Sequence, residues 1–116
     1  MAASDCLFCK IVERKIPASV VFESDAVLGF KDVNPQAPVH VLFVPKRHVE
    51  GVDALGSGDA GVMMPLILAV NQAARELGVS DAGYRLVINN KKDAGQTVDH
   101  LHLHLLGGRR LGWPPG

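Results

Sequence analysis

Three histidines alternate with three leucines in His100-Leu101-His102-Leu103-His104-Leu105. In an extended strand alternate side chains share a face and stand about 6.6 Å apart. One face would then carry three imidazoles and the other three leucines. Imidazole changes charge near neutral pH and acts as nucleophile, acid or base without a metal. Three readings of such a row are open. Histidine is a poor choice for a merely solvated face. A metal site is possible, yet three imidazoles on one flat face cannot all reach one ion without help from other elements. In the catalytic reading, the middle residue, His102, has a neighbour on each side to orient it and move protons. The preceding Ala94-Gly95-Gln96-Thr97 offers glycine for close backbone approach, an amide and a hydroxyl, which are the parts of an anion cradle. Alone these are turn residues; beside three histidines they favour catalysis.

Cys6-Leu7-Phe8-Cys9 has metal-knuckle spacing but supplies only half of a tetrahedral site. A redox motif would follow a strand in a βαβ unit, which this segment lacks. Two reduced, buried cysteines are the alternative. His40 is a lone polar residue in an otherwise apolar stretch. Asp32 by itself reads as a turn residue, and Phe8, Ile11, Phe30 and Val33 as core.

The elements that must position these groups follow from periodicity. Leu7, Phe8, Ile11 and Val12 suit one face of a short helix over 6–15, with Pro17 as its stop. Val20–Glu23 and Val27–Phe30 read as a hairpin around Ser24-Asp25. Asn34–Pro38, with two prolines, is a loop. Val39–Val44 suits a strand buried on both faces. Met63, Ile67, Val70, Ala74 and Leu77 have helical spacing, which predicts a helix from about Asp59 to Leu77, with Gly78 as its C-terminal cap. Pro65 fits if that helix starts just before it. Tyr84–Asn89 and His100–Leu106 read as strands, separated by a polar loop over 90–97. Five strands, one long helix and one short helix, mostly joined by hairpins, predict a single α+β domain over 1–116 with an antiparallel sheet.

Twelve Lys and Arg balance twelve Asp and Glu, which argues against a nucleic-acid or membrane surface. The longest apolar run, Val62–Val70, is far short of the roughly 20 residues of a bilayer span. The chain opens with no basic segment followed by an apolar one, and its two cysteines suit reduced thiols, so a cytoplasmic setting is expected. Val62–Val70 has no polar side, and Trp113 stands in a tail without a core pattern. Both suggest cover from a second subunit.

The stretch Asp99–Leu106 resembles the signature of the histidine triad family. The resemblance extends along nearly the whole chain: Phe8-Cys9-Lys10-Ile11 with Ile16-Pro17, Phe30-Lys31-Asp32, Pro35-Gln36-Ala37-Pro38-Val39-His40, Val44-Pro45-Lys46-Arg47-His48 and the ending Gly107-Gly108-Arg109…Trp113-Pro114-Pro115-Gly116 look like its HINT branch. That resemblance implies a hydrolase cutting nucleoside phosphoramidates at the α-phosphorus, with His102 as nucleophile and a nucleotidyl-histidine intermediate. It also implies that His104 protonates the leaving group, that Thr97 bonds near the scissile atom, and that His40 supports the row. Asn89, Gly95, Gln96 and Thr97 would hold the phosphate. Asp32 would bind ribose hydroxyls, and Phe8, Ile11, Phe30 and Val33 would wall a purine base. Some triad proteins with a Cys-x-x-Cys motif look as if they complete a structural zinc site with two histidines, here His48 and His100; no cofactor is implied for catalysis itself. The branch further implies a two-fold homodimer with joined sheets, in which Trp113 reaches the partner's active site. Alternatives are a dinucleoside polyphosphate hydrolase with the same nucleophile, or a nucleotide-binding adaptor. A nucleotidylyltransferase is disfavoured, because that motif ends in glutamine where this chain has His104.

Overall fold

The computed structural model describes residues 5–116. A short helix, α1 (Leu7–Val12), opens the fold, with the Cys6 sulfur accepting from the Cys9 N–H at 3.4 Å as its N-cap. The helix ends three residues earlier than expected. Arg14 turns the chain at φ 65°, before Pro17 is reached. Strands β1 (Val20–Glu23) and β2 (Val27–Lys31) form a hairpin, held at its turn by Ser24, whose N–H donates to Val27 O and whose hydroxyl accepts from the Val27 N–H. Strand β3 (Val39–Pro45) follows, then two short 3-10 turns, then the long helix α2 (Met63–Glu76), then β4 (Tyr84–Val87) and β5 (Leu103–Gly107).

Helix α2 starts at Met63, later than the expected Asp59, because Ser57–Asp59 forms a separate 3-10 turn. Pro65 is thus the third helical residue, where an N–H has no intrahelical partner to lose. The C-terminus closes as a Schellman motif: the Gly78 N–H bonds Arg75 O and the Val79 N–H bonds Ala74 O, with Gly78 at φ 76°.

The sheet is antiparallel throughout, in the order β1-β2-β3-β5-β4. Its faces separate by parity. Val27, Val41, Phe43, Leu103 and Leu105 pack with Leu66, Ala69, Val70, Ala73 and Ala74 of α2. Leu28, Phe30, Leu42 and Val44 pack with Cys6, Phe8 and Ile11 on the side of α1. This is why β3 is apolar at nearly every position. Gly29 has its own role there: a Cβ would stand 2.8 Å from the Phe43 ring, so only glycine admits that ring.

Strand β5 pairs later than the histidine pattern suggests. Phe43 opposes Leu103, so the next ladder position would set Leu101 against Pro45. Proline has no N–H to extend the ladder. Leu101 bonds Val49 O instead, at 2.6 Å, and the chain over 100–102 runs alongside the sheet without being paired in it. Tyr84–Val87 is likewise shorter than the expected strand to Asn89. No helix among the described residues is long and apolar enough to cross a membrane.

Candidate active site

On the face shared with α1, register aligns Phe30 of β2, Leu42 of β3 and His104 of β5 in one row across the sheet. His40, two residues before Leu42, shares that face. His102 precedes His104 by one strand period, and their rings lie 5.1 Å apart. The floor of this face opens into a cleft of about 470 Å³. Its lining brings together Phe8, Ile11, Phe30, Asp32, Val33, Thr97, His102 and His104. Ile16, Pro17, Ser19 and Leu42 also line it and escaped sequence reasoning, since nothing in a connecting segment or a buried strand marks it as a wall.

The hydrogen bonds decide where each proton sits. His102 Nδ1 lies 2.7 Å from His100 O, so Nδ1 carries the hydrogen and donates it, leaving Nε2 with a free lone pair. The Gln36 N–H donates to His40 Nδ1 at 3.0 Å, so His40 carries its proton on Nε2. That Nε2–H meets His104 Nδ1 at 2.9 Å and stands 3.4 Å from an Asp32 carboxylate oxygen. His104 therefore keeps its hydrogen on Nε2. Burial holds His102 below the usual imidazole range. Burial, with His102 and His40 alongside, pushes His104 down to about 4. Both of these rings, His102 and His104, are therefore neutral near pH 7, as a nucleophilic imidazole needs. Asp32 also accepts the Asn34 N–H at 2.8 Å, so it is a turn residue as well as part of the cleft.

His100 leaves the row. It is fully buried, and its Nε2–H donates to Pro45 O at 2.8 Å. Its Nδ1 lone pair then faces two sulfurs, Cys6 at 3.3 Å and Cys9 at 3.5 Å, while His48 Nδ1 stands 3.2 Å from Cys9. The four donor atoms lie within 4.8 Å of one another. Tetrahedral zinc with ordinary Zn–S and Zn–N bonds sets sulfur and nitrogen about 3.5 Å apart, and these spacings match. His48 Nε2 is buried without a hydrogen-bond partner, so the ring has only the thiol at Nδ1. Burial, and then Cys6, push the Cys9 thiol up to about 11, a site that holds a thiolate only beside a cation. Cys6, Cys9, His48 and His100 thus fit a closed Cys2His2 zinc site.

The loop before β5 behaves differently from expectation. Gln96 turns its side chain away from the cleft: its amide donates to Glu50 O and Val98 O, and its carbonyl oxygen accepts the Lys91 N–H at 2.7 Å. It clamps the loop rather than presenting an amide to a ligand. Asn89 and Gly95 are not part of the cleft lining, whereas Thr97 is. Trp113 is 83% exposed and stands outside the lining of its own chain's cleft.

A model of the HIT domain matches residues 13–111. The chain belongs to the HIT family. An uncharacterized HIT-like protein of Synechocystis is 52% identical over 114 residues, spanning 98% of this chain and 99% of that protein. Among solved structures, a HIT family hydrolase from Legionella pneumophila superposes with a TM-score of 0.94 at 46% identity, covering 97% of this chain and all of that one. A HIT family hydrolase from Clostridium thermocellum gives 0.91 at 44% identity, covering 93% and 94%. This HIT chain therefore has the α+β fold of those hydrolases over 93–97% of its length.

Proposed function

We propose that this HIT protein is a hydrolase of the HINT branch that cleaves nucleoside phosphoramidates at the α-phosphorus through a nucleotidyl-His102 intermediate. The observation that carries the reading is the bond from His102 Nδ1–H to His100 O, which leaves Nε2 as a bare nucleophile on the wall of the cleft. Nε2 attacks phosphorus and the P–N bond breaks. The positive charge that builds on the ring is held by the His100 carbonyl. The phosphate of a bound substrate counteracts the burial that keeps His104 neutral. His104 then protonates the departing nitrogen and takes a proton back when water attacks the nucleotidyl-histidine. The products are an amine and a nucleoside monophosphate.

Asp32 accepts the ribose hydroxyls, and Phe8, Ile11, Phe30 and Val33 enclose a purine base. Thr97, which lines the cleft, bonds near the scissile atom. Zinc at Cys6, Cys9, His48 and His100 supplies structure and no step of the reaction, which suits a reducing compartment such as the cytoplasm. A homodimer is supported by α2, where Met64 and Leu68 are more than half exposed on the stripe that also carries Asn71. The Tyr84 hydroxyl donates to Asn71 at 2.7 Å, which places edge strand β4 beside that stripe. Trp113 then serves the partner's cleft. The test compares hydrolysis of adenosine 5′-phosphoramidate and a diadenosine polyphosphate. Faster turnover of the former upholds the reading. Preference for the latter makes the protein a polyphosphate hydrolase, and AMP binding without either activity makes it an adaptor.

A further inference from the structure

Two paths lead from the cysteine pair to His102. The first runs through His100, whose ring nitrogen faces both sulfurs and whose carbonyl, in the same residue, holds the His102 Nδ1–H. The second runs through Phe8, which lies between the two cysteines in the chain and packs its ring edge-on against His102, 5.0 Å between centroids, and against Phe30 at 5.5 Å. The sulfurs lie within 4.8 Å of each other. Cys6 is wholly buried, while Cys9 has some exposure.

We propose that Cys6 and Cys9 are a thiol switch on the nucleophile: a peroxide joins them as a disulfide, and the loss of their grip on His100 and Phe8 disarms His102. The proposal rests on the hydrolase reading for its activity readout only. In the step, the more accessible Cys9 sulfur attacks the peroxide O–O bond and becomes a sulfenic acid, releasing water. The Cys6 sulfur displaces the second oxygen as water and forms the S–S bond. Two thiols and one hydrogen peroxide give one disulfide and two waters, the sulfurs losing the two electrons that the peroxide gains. His48 and His100 then have no thiolate co-ligands, so a metal held by the four residues is released. The His100 ring keeps its bond to Pro45 O but loses both sulfur partners, so the residue whose carbonyl fixes the His102 tautomer is no longer tied to α1.

The test uses the full chain, reduced and zinc-loaded, titrated with hydrogen peroxide. Free thiols, zinc release to a chelating dye, turnover of adenosine phosphoramidate, AMP affinity and the ¹⁵N shifts of the His102 ring are read at each step. The expected result is loss of both thiols with one zinc, a fall in kcat on the order of tenfold or more, and an AMP affinity changed by about threefold at most. Reductant with zinc restores turnover. In Cys9→Ser, peroxide leaves the remaining turnover unchanged. A complete disulfide with unchanged turnover overturns the switch, as does equal peroxide sensitivity of Cys9→Ser, or turnover lost in step with AMP affinity. If the untreated protein hydrolyses no phosphoramidate, the hydrolase reading has failed on its own account. The switch is then decided by the His102 ¹⁵N shifts, which move on oxidation if it exists and stay fixed if it does not. If the protein carries no metal, reduced and oxidised forms are compared directly by the same signals.

Discussion

His40 Nε2 and His104 Nδ1 stand 2.9 Å apart, and because the Gln36 N–H already occupies His40 Nδ1, the proton between the two rings belongs to His40. His104 is thereby held with its own hydrogen on Nε2. His40 is a positioning residue in this scheme, acting through His104. In His40→Ala, kcat is expected to fall by about ten- to a hundredfold, the range of general acid–base assistance, with AMP affinity nearly unchanged. The ¹⁵N shifts of His104 should show a mixture of tautomers. An unaltered His104 spectrum would refute the positioning role.

His102→Ala is expected to reduce turnover by roughly ten-thousand-fold, because the variant loses the atom that forms the intermediate. AMP should still bind, since the walls of the cleft come from other elements. His102→Gly supplied with imidazole should recover part of the rate. A His102→Ala protein with substantial phosphoramidase activity would remove His102 as nucleophile.

Stability should fall as solutions are acidified from neutrality. Burial lowers His104 from 6.5 to about 4 in the fold, so the unfolded chain takes up that proton first as pH drops. The stability contributed by neutral His104 is complete above 6.5 and is lost as pH falls towards about 4. Calorimetry between those limits should show a declining Tm, with a shallower slope in His104→Gln. Equal slopes in the two proteins would contradict this.

Protein prepared without added metal should carry about one zinc per chain. Chelation should lower Tm, and turnover should need no metal in the assay. Elemental analysis decides the first point. A metal-free protein of full stability would overturn the zinc assignment.

The exposed pair Met64 and Leu68 predicts association. Covering even about 400 Å² of apolar surface is worth on the order of 10 kcal/mol before association costs. Sedimentation should show a dimer at micromolar concentration, and Leu68→Glu should give monomers. Deleting residues 109–116, whose Gly112 carbonyl accepts from Arg85 on β4 at 2.7 Å, should change the preference among amine leaving groups more than it changes folding. A stable wild-type monomer would end the dimer proposal, and unaltered rates for several amines would end the role of the tail.

The period of a strand was enough to separate the histidines of 100–105 from the leucines, because successive side chains must take opposite faces wherever the backbone is extended. Leu101, Leu103 and Leu105 are accordingly in the core with α2. The same logic made Val39–Val44 a strand buried on both sides and singled out His40 within it. Helical spacing and Gly78 located the end of α2 for the same local reason. What packs against a face is not a local property. Only the approach of α1 and the Pro45 carbonyl took His100 out of the imidazole row and set it among sulfurs 94 and 91 residues away in sequence. Only the contact of Gln36 with His40, and of His40 with a ring 64 positions distant, distributed the protons. Gln96 looked like a ligand because its type suits one; tertiary structure gave its amide to Glu50 and Val98, since a loop needs its backbone groups satisfied before it can hold a substrate. Residue type and period determined which groups share a face, and the long-range contacts decided which nitrogen of each is free to react.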